Sequence, residues 1–292
     1  MSFRSLLPTA GTSPRGPLSK HLLGRGVTII PSLDVLGDWL GYWLAPNLEP
    51  TAGLPADATQ WTDGSGNAAH MTLLKLANKP QVTETGVPNG IARILDHTPH
   101  QAIGHAFAAP ATVSAWTTGT MFTVFNLDVD TAGNVYPLAL TTNFASRELA
   151  IRVKTGSLEL DFYLDRPEGT AGSSITWTPA VAKVISLATW YTVFAVHDGV
   201  GLKLYLNGID TNAAFTEVEN GGPALDETNW LANYTQQHTA IAAGARLEGD
   251  TTSITFGING QESGAGLMEA ALNATAVRKG HDFLNATLNL GI

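Results

Sequence analysis

Trp190-Tyr-Thr-Val-Phe-Ala-Val-His197-Asp-Gly199-Val-Gly201-Leu202-Lys-Leu-Tyr-Leu-Asn207-Gly208 is the stretch that decides the fold. Side chains of an extended strand alternate between faces. The first arm therefore sets Tyr191, Val193 and Ala195 on one side and Trp190, Thr192, Phe194 and Val196 on the other. Both sets are largely apolar, which predicts a strand buried on both faces. Asp198 to Gly201 supplies residues that tolerate the positive φ of a tight turn. The second arm directs Leu202, Leu204 and Leu206 inward and Lys203, Tyr205 and Asn207 outward. Asn207-Gly208 signals another tight turn, with Ile209 to Ala214 as the returning strand. The centre of the chain is a meander.

Working outward, further strands are expected at Asp38 to Leu44, ending at Pro46, and at Gly119 to Leu127. Leu149 to Val153 and Leu158 to Leu164 alternate about Lys154-Thr-Gly-Ser157, forming a hairpin with one polar face turned to solvent. Ser253 to Phe256 and Leu267 to Leu272 read as later strands, while His70 to Leu76 fits either a strand or a short helix. Ala274 to Leu284 reads as a helix capped by Asn273 and weakened by Gly280. No period repeats and no βαβ alternation occurs, so two antiparallel sheets packed face to face are the natural solution.

Composition agrees. Only 14% of the 292 residues are charged, and 30 Gly and 15 Pro suit many short strands joined by turns. A net charge of -9 argues against nucleic acid or an anionic membrane, which need a basic face. The absence of cysteine removes disulfides, thiolate nucleophiles and Cys-ligated metals. The opening Met-Ser-Phe-Arg4-Ser-Leu-Leu7-Pro8 is too short in apolar residues for a signal peptide, and no stretch approaches a membrane span.

Residues 1 to 31 differ from the rest. Pro8, Pro14, Pro17 and Pro31 with Gly11, Gly16, Gly24 and Gly26 interrupt any regular element, which predicts an extended arm. Arg4, Arg15, Lys20 and Arg25, with no acid before Asp34, give it +4 and leave -13 on the body. With Phe3, Leu6, Leu7, Leu18, Leu22 and Leu23, such an arm can dock on an acidic neighbour, including another copy of the chain. A tail without a partner is the plain alternative.

The central hairpin also resembles that of laminin-G-like, concanavalin A-like jelly-roll domains. Trp61-Thr-Asp63-Gly-Ser65-Gly66-Asn67 and Pro88-Asn-Gly90-Ile-Ala-Arg-Ile94-Leu-Asp96 are similar to its upstream segments. Ala243-Gly-Ala-Arg246 and Gly266-Leu-Met-Glu269-Ala-Ala-Leu272-Asn273 are similar to its closing strands. The resemblance spans Trp39 to the C terminus and implies an all-β, two-sheet antiparallel jelly-roll sandwich at 32–292, with the arm at 1–31 and a short C-terminal helix. Cysteine-free chains of this kind without a signal peptide resemble virion structural proteins of tailed bacteriophages. That implies a non-enzymatic capsid decoration or tail component, made in the host cytoplasm and held in the virion by contacts with other virion proteins and with copies of itself.

Two other functions are weighed against it, because one fold serves many jobs. A carbohydrate-binding module would use a loop around Trp61, Asp63 and Asn67, or the concave sheet. A glycoside hydrolase would use Glu159-Leu-Asp161-Phe-Tyr-Leu-Asp165, which resembles the motif of jelly-roll β-glucanases. Alternation puts Glu159 and Asp161 on one side, but Asp165 stands where that motif has Glu. The plain alternative is a solvent-facing strand.

No cofactor is expected, with calcium the open candidate. Asp63, Ser65 and Asn67 form one oxygen-rich series and Asn126, Asp128 and Asp130 another, yet both lack the glycine and distal glutamate of a complete calcium loop. Turn formation explains both series at lower cost. Gly64-Ser-Gly66-Asn-Ala-Ala69 matches a dinucleotide fingerprint by letter but lacks its βαβ setting. His97, His100 and His105 read as loop residues. Trp39, Trp43 and Trp190 read as core, and Trp61, Trp116, Trp177 and Trp230 as the tryptophans nearer the surface.

Overall fold

The computed structural model describes residues 31–50, 55–73, 79–87, 90–98, 101–130, 133–142, 148–165, 174–218, 230–233, 237–248, 253–255 and 257–292. The arm residues expected at 1–31 lie outside these, apart from Pro31. The first strands are β1 (Trp39–Pro50), β2 (Ala56–Asp63), β3 (Met71–Thr72), β4 (Gln81–Val87), β5 (Gly90–His97) and β6 (Ile103–Ala106). A short helix α1 (Pro110–Ser114) precedes β7 (Gly119–Leu127), β8 (Val135–Thr142), β9 (Glu148–Val153), β10 (Leu160–Asp165) and β11 (Ser174–Pro179). Then come β12 (Trp190–His197), β13 (Leu202–Leu206), β14 (Ile209–Asp210), β15 (Ala213–Val218) and β16 (His238–Ala243). The chain closes with β17 (Arg246–Glu248), β18 (Ser253–Thr255), β19 (Gly260–Met268) and the helix α2 (Ala274–Leu288).

Antiparallel pairing folds these strands into two layers. The first sheet runs β14-β13-β12-β7-β19, and the far edge of β19 is shared by β1 along Gly264–Met268 and β5 along Gly260–Glu262. The second runs β15-β11-β10-β9-β8-β16-β6-β3-β2. Strand β1 belongs to both. Its first half lies on β19, its last residues lie on β2, and the register shifts between Trp43 and Leu48. Pro46 falls inside that shift, so the strand runs past the proline that was expected to end it.

Burial follows the alternation read from the hairpin. Every residue of β7 and β12 is buried, because the first sheet is covered on both sides. Its inner face packs on the second sheet, and its outer face is sealed by α2 and a 3-10 turn at Leu33–Leu36. Phe122 and Phe194 stack at 5.2 Å on that outer face. Gly280 explains itself here: a Cβ would sit 3.1 Å from Phe194 and 3.3 Å from Leu36, so glycine lets the helix lie close. The helix begins where expected, the Asn273 side chain accepting from the Ala276 amide, and extends one turn beyond Leu284.

Several expectations change. Tyr205 points outward from β13 but is 2% exposed, since this sheet face is covered. The strand expected at Ile209 to Ala214 splits: β14 stays on the first sheet, and β15 crosses to β11 of the second. Leu267 and Met268 end β19, and the residues up to Leu272 lead into the helix. Trp61, Trp116, Trp177 and Trp230 are all buried rather than near the surface. Threonine and proline neighbours marked strand ends, yet the indoles fold back into the core, Trp230 lying directly over Gly119. Residues 32–292 as one domain, with a separate arm, remains an expectation.

Candidate functional site

The second sheet keeps a polar outer face across β9, β10 and β11. Ile151, Val153, Leu160, Phe162, Leu164, Ile175 and Trp177 enter the core. The alternate set, Ala150 and Arg152, Asp161 and Tyr163, Thr176 and Thr178, faces the other way. This is the face expected to be in solvent. Instead Asp161 is 0% exposed and Arg152 8%.

The cause is a built ion pair. The register sets Arg152 directly opposite Asp161. Arg152 Nε donates to Asp161 Oδ1 at 2.8 Å and Nη2 to Oδ2 at 2.7 Å, the two-pronged geometry that a guanidinium offers a carboxylate. The guanidinium carbon lies 3.9 Å from the centre of the Tyr163 ring. Lys154 Nζ stands 3.4 Å from Asp161 Oδ2 and 3.6 Å from Glu159 Oε2, and both Lys154 and Glu159 are half-buried. Burial pushes the Arg152 guanidinium down, but the hydrogen bonds and charge of Asp161 outweigh it and hold the group above its ordinary value. Arg152 is thus a fixed cation.

This geometry bears on the hydrolase motif. Cleavage of a glycosidic bond needs one carboxyl to give a proton and another to attack or activate water. Glu159 and Asp161 do share a face, as the alternation predicted. Asp161, however, spends both oxygens on Arg152, and Glu159 faces Lys154. Asp165 closes β10 opposite Ser174. At its rim the face offers the half-buried Lys154 amine, the half-buried Glu159 carboxylate and the Tyr163 ring, which suits holding hydroxyls better than transferring protons. Arg152 and Tyr163 were not singled out from the sequence. A hairpin turning at Lys154 to Ser157 would pair residue 152 with residue 159; the observed register, with Leu160 opposite Val153, moves the partner of Arg152 to Asp161.

The loop proposed for sugar or calcium is closed on itself. Trp61 is 0% exposed in the core, so no indole face is offered there. Asp63 Oδ1 accepts from the amides of Tyr42 and Ser65, and Oδ2 accepts from the Ser65 hydroxyl and the amides of Asn67 and Ala69. The Asn67 side chain donates to the Trp39 carbonyl. With both carboxylate oxygens filled, this aspartate organises the turn.

His97 and His105 are not loop residues either. His97 is buried at the end of β5, its Nε2 3.1 Å from Glu262 Oε2, and Thr123 Oγ1 donates to Glu262 Oε1 at 3.3 Å. His105 lies in β6 with ring centres 6.4 Å from Trp43 and 6.0 Å from Phe107. His100 lies outside the described residues.

No family model and no curated protein matches the sequence. Among solved structures, Trypanosoma rangeli sialidase in complex with sialic acid superposes with a TM-score of 0.50 at 12% identity, over 85% of this chain and 33% of that one. The chain thus spans a third of the length of that protein. The Ruminococcus gnavus IT-sialidase CBM40 bound to α2,3-sialyllactose superposes at 0.46 with 12% identity, over 63% of this chain and 94% of that one. The sialidase superposition bears on the all-β fold, and not on the virion role that the sequence resemblance implied.

Proposed function

We propose that the chain is a non-enzymatic carbohydrate-binding module that takes its sugar on the outer face of the second sheet, around Arg152, Lys154, Glu159 and Tyr163. The observation that carries the reading is the partly exposed rim of Lys154, Glu159 and the Tyr163 ring, held in place by the buried Arg152–Asp161 pair beneath it. Pre-set donors beside an aromatic ring recognise hydroxyls without paying to order long side chains on binding. The same locking removes Asp161 from acid–base duty, which supports binding over hydrolysis. Glycan-array screening followed by calorimetry tests it: the parent should bind a sugar saturably, and Tyr163→Ala and Lys154→Ala should each weaken it. An array with no saturable binder, or binding unchanged in both variants, defeats the proposal.

A second reading rests on the charge division in the sequence, +4 in residues 1–31 against -13 in the remainder. In it the arm, through Phe3, Arg4, Leu6, Leu7, Arg15, Leu18, Lys20, Leu22, Leu23 and Arg25, anchors the domain to virion proteins or to further copies of itself. Deleting residues 1–31 should leave a folded domain that no longer joins an assembly. Unimpaired assembly of the shortened chain would count against it.

A further inference from the structure

The rim that carries the proposed sugar site is electrically closed. Lys154 Nζ lies 3.6 Å from Glu159 Oε2 and 3.4 Å from Asp161 Oδ2, and Arg152 gives Nε and Nη2 to the two oxygens of Asp161. Two cations and two carboxylates sum to zero, and each cation has a carboxylate oxygen within 3.4 Å. What the strands add beyond the rim is acid. Glu148 opens β9 and Asp165 closes β10, each four residues along its strand from Arg152 or Asp161 and so in the same alternation. Lys183, whose carbonyl accepts the Leu160 amide, reaches the other way and lines a groove with Leu206, Asn207, Ile209 and Thr211 at the edge of the first sheet.

The rim also has an apolar member. Val184 pairs with Glu159 through a single bridge, fixed on one side by the Ile185 amide donating to the Leu158 carbonyl at 2.7 Å and on the other by the Leu160 amide donating to the Lys183 carbonyl at 2.9 Å. Residues directly opposite in a pair share a face. Val184 therefore stands beside Glu159, and it is 58% exposed. The rim thus carries Val184 next to its acid and the Tyr163 ring over its buried guanidinium.

We propose that this face selects neutral sugars and turns away acidic ones, with Val184 as a further contact. The inference rests on the sugar-binding reading and names the ligand class for the same site. A carboxylate or sulfate on the ligand would have to displace Glu159 or Asp161 to reach a cation, and would then stand beside the carboxylate it displaced. Hydroxyl groups meet neither obstacle. They donate to Glu159 and accept from Lys154 without breaking the charge balance, and the C–H faces of the rings are left for Val184 and Tyr163. Like-charge repulsion of this kind separates partners that are otherwise alike.

A glycan array that sets each neutral oligosaccharide beside its sialylated, sulfated or uronic acid counterpart tests this on the full chain, with calorimetry on the strongest pair. The neutral member should bind about tenfold or more tightly than the acidic one. Raising sodium chloride from about 50 mM to about 500 mM should leave the neutral affinity within about twofold, because no ion pair forms with the ligand. Glu159→Gln removes one repelling charge and releases Lys154, so the preference for the neutral member should shrink about fivefold. Val184→Ser should weaken the neutral member about threefold or more. An acidic member that binds more tightly than its neutral counterpart, or a preference unmoved in Glu159→Gln, overturns the inference while leaving sugar binding in place. Neutral binding unchanged in Val184→Ser overturns the placement of Val184. Saturable binding by neither member of any pair defeats the sugar-binding reading itself, and this inference with it.

Discussion

Both carboxylate oxygens of Asp161 are held by one guanidinium, that of Arg152, at 2.7 and 2.8 Å on a sheet face where neither residue is more than 8% exposed. Removing one member of such a pair strands the other charge away from water. Asp161→Ala should therefore cost about 3–5 kcal/mol in urea unfolding, while Arg152→Met combined with Asp161→Leu should recover most of that loss. A single-variant cost below about 1 kcal/mol, the range of exposed pairs, would mean that the pair is solvated.

Gly266 marks where β19 crosses the ring of Phe122. A Cβ there would lie 2.2 Å from Phe122 Cε1, in a face already closed by the helix. Gly266→Ala should destabilise by roughly 1–3 kcal/mol through overpacking. Phe122→Leu in the same chain should relieve part of the clash, so a double-mutant cycle should give a favourable coupling. Additive costs would show that the two sites do not meet.

The start of α2 depends on one side chain. Asn273→Ala deletes the acceptor for the Ala276 amide and should cost about 1 kcal/mol in chemical unfolding, while Asn273→Asp keeps the acceptor and should cost little. Equal losses in the two variants would assign the effect to something other than the cap.

These variants also mark what the sequence could and could not disclose. The alternation of Trp190 to Leu206 placed each side chain on its face, and Asn273 announced the helix, because both signals are local. Whether a face is then covered is decided elsewhere in the chain. Tyr205 and Asp161 were correctly directed outward, yet burial awaited a helix some seventy residues later in one case and a hairpin partner, Arg152, in the other. The alignment of Asp96 on β5 with Gln261 on β19 and Asn126 on β7 was hidden for the same reason, since no local pattern links these strands. Trp61 misled because its Thr and Gly neighbours describe the loop that follows it, while its own indole belongs to β2.

His281 sits on the buried side of α2, with Nδ1 2.7 Å from the Thr192 hydroxyl and Arg278 and Asp282 on the same helix. Burial first, and the charge of Arg278 second, push its pKa down to about 4. His238, fully buried, is pushed down by burial to about 3. A histidine whose folded pKa lies below its unfolded value of about 6.5 binds its proton more readily when unfolded. The stability it supports is therefore complete above pH ~6.5 and drains away as the pH falls towards the folded value. For His281 the difference amounts to roughly 3 kcal/mol by pH ~4. His281→Gln removes the titration while keeping a polar partner for Thr192, so it should lose less stability than the parent between pH ~7 and pH ~4.5. Thermal melts of the two proteins across that range decide the matter. Parallel losses would show that the acid sensitivity of the fold lies in other groups, and a steeper loss in the variant would reverse the assigned direction of the His281 shift.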